Sequence, residues 1–349
     1  MLRRYQALGQ LLGPSEQRRA GLMALALVLA LVSTMVAAAF VPERAQGPRA
    51  GALVFPARLA QHLEGPAVEG QTAADGWNQP SAMAVLQRRW FLLDTGNNRI
   101  LELDEAGIVR RVLDQRSDEG LVLQRPMAIT SDERYLYVAN SGASQVLVLE
   151  PSGRVVKVFA LGKVAPQDQA LPRPIGLAVT RNGELLVSDG DNHRVLRYGG
   201  DGRLLQAMGS GKRDSGADGF NTPAGLALDD IDNIYVVDIL NGRVVQLSPD
   251  GVFLRQFGRL GDTAGTFSRP KDVAVDSAGN VYVSDSLLAS VQVFSPQGEY
   301  LGLIGRENPS DRNSVSLFRA PAGLTIGQGR LYVVDRFASL FVFQLPIQE

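Results

Sequence analysis

A proline recurs every 46 to 51 residues along most of this chain, at Pro80, Pro126, Pro174, Pro223, Pro270 and Pro321, and 14 or 15 residues after each stands an acidic or amide residue. Those partners are Asp94, Asn140, Asp189, Asp238, Asp285 and Asp335. A period of this size marks one supersecondary unit repeated side by side. Each copy holds four short apolar or alternating runs. In the fourth copy they are GLALD, NIYVVD, RVVQLS and VFLRQFG, broken by DDID, ILNG and SPDG. Such runs between turn-forming residues read as antiparallel strands. No copy carries the 3.6-residue apolar pattern of a helical solenoid. The chain is therefore expected to be all-β, a six-bladed β-propeller over residues 51–349, with repeats near 77–113, 123–162, 171–209, 220–258, 267–305 and 318–345.

Two further regularities constrain that ring. Three residues before each proline stands an apolar side chain, Trp77, Leu123, Leu171, Phe220, Phe267 or Phe318, expected to plug the gap between neighbouring blades. The sixth copy ends after its third strand. Residues 51–58, within GALVFPARL, are expected to supply the missing outer strand and so remove an exposed edge.

Ahead of the repeats the composition changes. Residues 21–41 run 21 positions without a charge, enough for a helix to cross about 30 Å of hydrocarbon. Arg3, Arg4, Arg18 and Arg19 precede this span and only Arg44 and Arg49 follow it closely. The positive-inside rule then places residues 1–20 in the cytoplasm, makes 21–41 a signal-anchor helix and 42–50 a linker, and puts the propeller in the periplasm or outside the cell. Ala37-Ala38-Ala39 leaves a cleaved secretory signal as the alternative. The overall charge of -1 includes that basic leader, so the propeller itself is mildly acidic and lacks the positive field of a nucleic-acid binder. With no cysteine, disulfides and thiolate chemistry are excluded.

Specific motifs recur within the repeats: NNRI at 97–100, DNHRV at 191–195, NGRVV at 241–245, DNIYVVD at 232–238 and GNVYVSD at 279–285. They resemble NHL repeats, and the chain is similar to bacterial, membrane-anchored propellers of that family. The resemblance implies the six-bladed fold and leaves function open, because NHL propellers include lyases, binding modules, RNA-binding proteins and sensors. It also implies an alternative reading as a metal-dependent lyase or lactonase-like hydrolase, since such relatives hold a metal in the central channel with His, Asp, Asn or Glu. This chain has two histidines, His62 and His193, and no recognisable trio of that kind. No catalytic residue, metal ligand or cofactor is assigned. The expected role is a binding scaffold with a protein partner or small ligand on the loop face.

Candidate positions follow from departures within the repeat. His193 has Asn98 and Gly242 as counterparts, so the turn needs no imidazole there. The repeated aspartates are expected to cap turns, and the Asn-x-Arg pairs (Asn97 and Arg99, Asn192 and Arg194, Asn241 and Arg243) to act as tethers and salt links across neighbouring blades. Arg125, Arg173 and Arg269 each precede a blade proline. They could receive a carboxylate or phosphate near the channel, or pair with an aspartate of an adjacent blade. Lys271 and Asp272 break the Ile-Gly or Ala-Gly found after other prolines and are expected at the channel mouth. The turns of copies two, five and six, SGASQV, SLLASV and RFASLF, have lost the Asn-x-Arg pattern. Ile239, Leu240, Leu287, Leu288 and Phe337 stand where the first three copies are polar, and are expected to form an apolar patch for a partner, or to fold under the longer loops.

Overall fold

In the computed structural model, the described residues are 55–65, 76–165, 168, 170–306 and 315–346. They form six four-stranded antiparallel sheets, five of them sequential in the chain. The blades cover 82–113, 128–160, 174–208, 223–257, 270–304 and 321–344. The span at 21–41 and the linker at 42–50 lie outside the described residues. Among the described residues, no helix is long and apolar enough to cross a membrane.

The blade interfaces explain why second and third strands are apolar on both faces. Each of six hydrophobic clusters is shared by two successive blades, and the sixth, with Trp90, Leu92 and Leu101 against Tyr332, Val334 and Leu340, joins the last blade to the first. The strand Leu185–Asp189 is accordingly buried at every residue, whereas the outer strand Phe253–Phe257 buries only its last residue fully. A blade that packs on both sides needs continuous apolar runs. An outer strand, with one side in water, does not.

Closure differs from expectation in register. The outer strand of the last blade is Arg58–Glu64, paired antiparallel with Ser339–Gln344 from Arg58 opposite Gln344 to Glu64 opposite Ser339. Of the expected 51–58, residues 51–54 lie outside the described residues, and of 55–58 only Arg58 belongs to it. Pro56 has no N–H to give a ladder, so pairing starts after it. Phe55 instead packs edge-on against Tyr282 with ring centroids 5.6 Å apart, and its N–H reaches the carbonyl of Leu303 on the fifth blade.

Five of the six plug residues are buried between blades: Trp77, Leu123, Phe220, Phe267 and Phe318. Leu171 is not, being 50% exposed. The gap between blades two and three is filled by Leu161, with Val164 beside it. The cause lies partly in Pro172. Elsewhere the residue two before the blade proline donates its N–H to the buried acid or amide of that blade, as Asn78 does to Asp94 (2.6 Å) and Asn221 to Asp238 (2.7 Å). Pro172 has no N–H, and Asp189 takes that of Arg173 instead (3.0 Å).

Candidate functional site: the central channel

The first strands of the six blades line the ring's centre. In blades three to six the pairing slips between the proline and the third residue after it, a bulge that holds Ile175-Gly176, Ala224-Gly225, Lys271-Asp272 and Ala322-Gly323. Bulges re-aim side chains and often border functional sites. Three of these four pairs end in glycine for a steric reason. A Cβ on Gly176 would run into the backbone of Ala224, one on Gly225 into Asp272, and one on Gly323 into Ser81 and Ala82. Successive inner strands therefore touch at this level.

Asp272 occupies the corresponding place in blade five and turns the close approach into hydrogen bonds. Its Oδ2 accepts the N–H of Leu324 on the next blade (2.9 Å), and its Oδ1 accepts that of Val273 (3.0 Å). The Ser284 hydroxyl receives the Asp272 N–H (3.1 Å) and donates to the carbonyl of Ala322 (2.6 Å). Burial in the channel wall outweighs both N–H contacts and pushes the carboxyl up to about 7. Asp272 is still only partly shielded from solvent, because the channel reaches it.

The channel opens into a cavity of about 640 Å³, within the roughly 300–1,000 Å³ usual for small-molecule sites. Its mouth carries Arg173, Arg269, Lys271 and Arg336, together with Ile239, Leu240 and Leu260. Deeper along the same strands it is lined by Met83, Ile129, Leu177, Leu226 and Leu324. Asp272 is the only acidic residue of the lining. The four cations are not equivalent. Arg173 pairs with Asp191 of its own blade (2.6 Å), not with an adjacent one, and Arg336 donates to Gln79 (2.8 Å). Lys271 and Arg269 make no side-chain hydrogen bond or ion pair among the described residues. Burial, with Arg269 and Arg336 nearby, lowers the Lys271 ammonium to about 8.

The remaining candidates separate. Arg125 is exposed and outside the cavity lining. Ile239 and Leu240 join the channel mouth, whereas Leu287 stands exposed and Leu288 half-buried, and neither lines the cavity. Phe337 sits beneath the Arg319 guanidinium (5.8 Å) and lines a second hollow of about 330 Å³ with His62 and Phe341, near the closing strand. The apolar residues of blades four to six are thus spread over separate places. Arg336 was missed from the sequence, although it directly follows Asp335 where other blades have Thr95, Ser141, Gly190, Ile239 and Ser286.

The repeated aspartates are structural. Asp94, Asp189, Asp238 and Asp285 are fully buried, and each accepts N–H groups from the loop entering its own blade. The Asn-x-Arg pairs serve the same blade rather than bridging to a neighbour. Asn97 and Arg99 both donate to Asp94 (2.8 and 2.7 Å), and Arg243 reaches Asp238 (2.9 Å) and the carbonyls of Ser215, Gly216 and Gly219 in the incoming loop. His193 takes the left-handed position of its turn (φ 51°), and its Nδ1 accepts the N–H of Thr222 (3.0 Å), directly before the next blade's proline. Asn98 does the same for Arg125 (2.7 Å). Burial and Arg213 hold the His193 imidazole below its ordinary value.

Residues 171–198 match the family model described as NHL repeat. The match spans the first three strands of blade three, Pro174–Val179, Leu185–Asp189 and Arg194–Tyr198. None of the curated proteins matches the chain in sequence. Solved structures share the fold at low identity. A gluconolactonase from Xanthomonas campestris is 20% identical with TM-score 0.60, over 84% of this chain and 99% of that one. A catalytically inactive variant of virginiamycin B lyase from Staphylococcus aureus, with quinupristin, is 12% identical with TM-score 0.57, over 82% and 99%. A luciferin-regenerating enzyme is 13% identical with TM-score 0.55, over 81% and 95%. Among the described residues no three His, Cys, Asp or Glu side chains converge to hold an ion, and both oxygens of Asp272 face backbone N–H groups.

Proposed function

We propose that this propeller is a non-catalytic binding module of the cell envelope, anchored by residues 21–41, that takes its ligand at the mouth of the central channel. One observation carries the reading. The half-buried Lys271 and the exposed Arg269 make no side-chain hydrogen bond or ion pair among the described residues, at the opening of a cavity of about 640 Å³, and a half-buried cation left without a partner is one that a ligand can satisfy. The lyase or lactonase alternative lacks a donor set, because the cavity lining has no His, Glu or Asn and only one Asp. The module would then act by holding its ligand, or by presenting it to a partner on the loop face.

Mass spectrometry of the full-length protein, released from its native membrane in mild detergent, tests this. One bound species per chain is expected, and it should be lost when Arg269 and Lys271 are both replaced by Ala. Lactone opening that needs a divalent cation and disappears in Asp272→Asn would overturn the reading in favour of an enzyme.

A further inference from the structure

Two sides of the channel lack opposite things. On blade five, the half-buried Lys271 and the exposed Arg269 make no side-chain hydrogen bond or ion pair among the described residues. Arg336 of blade six reaches the same opening with one bond, to the side-chain oxygen of Gln79 (2.8 Å). Arg269 and Arg336 both act on Lys271 by repulsion. The cavity lining holds four cations and one acid, Asp272, in a propeller that is mildly acidic as a whole. Burial pushes that acid up to about 7, so near neutral pH it does not cancel the cations.

Across the ring, the wall made by blades one and two is short of hydrogen-bond donors. The hydroxyls of Ser81 and Thr95 face each other (2.6 Å), and each also reaches a carbonyl of blade two, Ser81 that of Met127 (3.1 Å) and Thr95 that of Pro126 (2.8 Å). Two hydroxyl protons serve these three contacts, so one oxygen on this wall always has room for a donor from elsewhere. Further along the strands, the Thr130 hydroxyl has no partner among the described residues, and that of Thr325 is turned to the carbonyl of Met83. These half-buried side chains, not the leucines packed between blades, are what the channel shows a ligand.

A ligand that suits both sides brings an anion to the cations and hydroxyl protons to the facing oxygens. A single carboxylate leaves most of the charge at the opening uncompensated, whereas a phosphate monoester carries about -1.5 to -2 near pH 7 and three acceptor oxygens. A bare alkyl body would leave the donor-short wall unmet. We infer that the channel binds the phosphate ester of a polyol, its phosphate held by Arg269, Lys271 and Arg336 and its hydroxyls donating to the wall of Ser81, Thr95 and Met127. The half-buried Met127 and Ile175, each directly after its blade proline, receive the C–H face of the polyol. This rests on the reading of the channel as the binding site and adds the class of ligand to it.

The experiment uses four probes built on one carbon ring: myo-inositol 1-phosphate, myo-inositol, cyclohexyl phosphate and quinate. Each is titrated calorimetrically into the full-length protein in a non-ionic detergent, with empty micelles subtracted. Myo-inositol 1-phosphate is expected to bind once per chain, about tenfold or more tighter than each of the others. Arg269→Gln with Lys271→Gln should bring it down to the level of myo-inositol, and neither native side chain makes a bond on which the fold depends. Quinate binding as tightly overturns the phosphate, cyclohexyl phosphate binding as tightly overturns the polyol, and an unchanged affinity in the double Gln variant overturns the seat at the cations. A free ester and a lipid headgroup share this chemistry, and titration in phosphatidylcholine nanodiscs with and without phosphatidylinositol separates them. Weaker binding of myo-inositol 1-phosphate beside phosphatidylinositol supports the headgroup, and equal binding supports the free ester. Saturable binding of none of the four probes overturns the polyol phosphate, and the mass-spectrometric search for a bound species then judges the wider reading separately.

Discussion

Blade three and blade five bury the same aspartate in two different ways. Asp189 ends the second strand of blade three and meets Asn192 (2.9 Å), Arg194 (3.1 Å) and the N–H of Arg173 (3.0 Å). Arg194 also forks onto Asp168 (3.0 and 2.8 Å), and all three charged groups are buried. In blade five, Asp285 is seen to pair with no arginine among the described residues. It accepts N–H groups from Ser268 (2.7 Å), Arg269, Leu287 and Leu288 (3.0 Å each for the last two), and Ser290 stands where the arginine would be. A buried carboxylate can thus be stabilised by a side-chain cation or by converging backbone donors. Once backbone donors suffice, the turn side chains are free to change. That freedom is what allows SLLAS to replace DNHR, and Leu287 to stand in solvent.

The largest expected effect breaks this contrast. Arg194→Gln leaves Asp168 and Asp189 buried without their cation and should destabilise the protein by about 3–5 kcal/mol, measured by denaturant unfolding. Ser290→Ala, at the same turn position in blade five, should cost less than about 1 kcal/mol, since no charge depends on it. An equal loss in both would mean that Asp285 leans on its turn as much as Asp189 does. pH separates them further. The Arg194 guanidinium, with the N–H groups of Val164 and Ala165, holds Asp168 down to about 2 against an ordinary 3.8. A depressed carboxyl adds stability above its unfolded value and loses it as pH falls through the folded one. This contribution should fade between about pH 4 and pH 2 in the parent protein and be much smaller in Arg194→Gln, where only the N–H groups of Val164 and Ala165 still favour the carboxylate.

A second contrast concerns the plugs. Gly258 and Gly305 end the outer strands of blades four and five with positive φ (80° and 104°), and a Cβ on either would collide with the ring of Phe267 or Phe318. At the end of blade two the same place is Ala160, and the following plug, Leu171, is exposed. Gly305→Ala is expected to cost about 2–3 kcal/mol, through the left-handed backbone and the displaced Phe318 together. Gly162→Ala, with nothing near its Cβ, should stay within about 0.5 kcal/mol. A thermal melt of each variant decides it.

The blade count, the capping aspartates and most plugs were legible in the sequence because each recurs in register, and a repeated constraint shows itself by repetition. The plug at Leu171 could have been questioned, since Pro172 and Ala160 both break the pattern beside it. The channel was legible in Lys271, Asp272, Arg173 and Arg269, which stand next to the bulge prolines. Its other half was not. Leu260 reaches the mouth from an inter-blade loop, and Met83 and Ile129 look like ordinary strand residues until the ring sets six inner strands around one axis. The closing strand was placed at 51–58 because GALVFPARL is a strand-like run left over before the first copy, but GALVF is more apolar than RLAQHLE, and an outer strand is the one that needs least apolar surface.

The smallest effect belongs to His193. Its Nδ1 accepts the Thr222 N–H as Asn98 accepts that of Arg125, so His193→Asn keeps both the acceptor and a residue tolerant of the left-handed turn. Stability near pH 8 should change by less than about 0.5 kcal/mol. His193→Ala loses the acceptor and should cost about 1 kcal/mol. Because burial holds the imidazole below its ordinary value, the folded state disfavours the proton. The histidine protein should therefore lose stability as pH falls through that ordinary value, about 6.5. His193→Asn should show less of this loss, so the two unfolding curves diverge toward acid pH. Curves that stay parallel from pH 8 to pH 5 would mean that the imidazole is no tether, and that the turn of blade three rests on Asn192 and Arg194 alone.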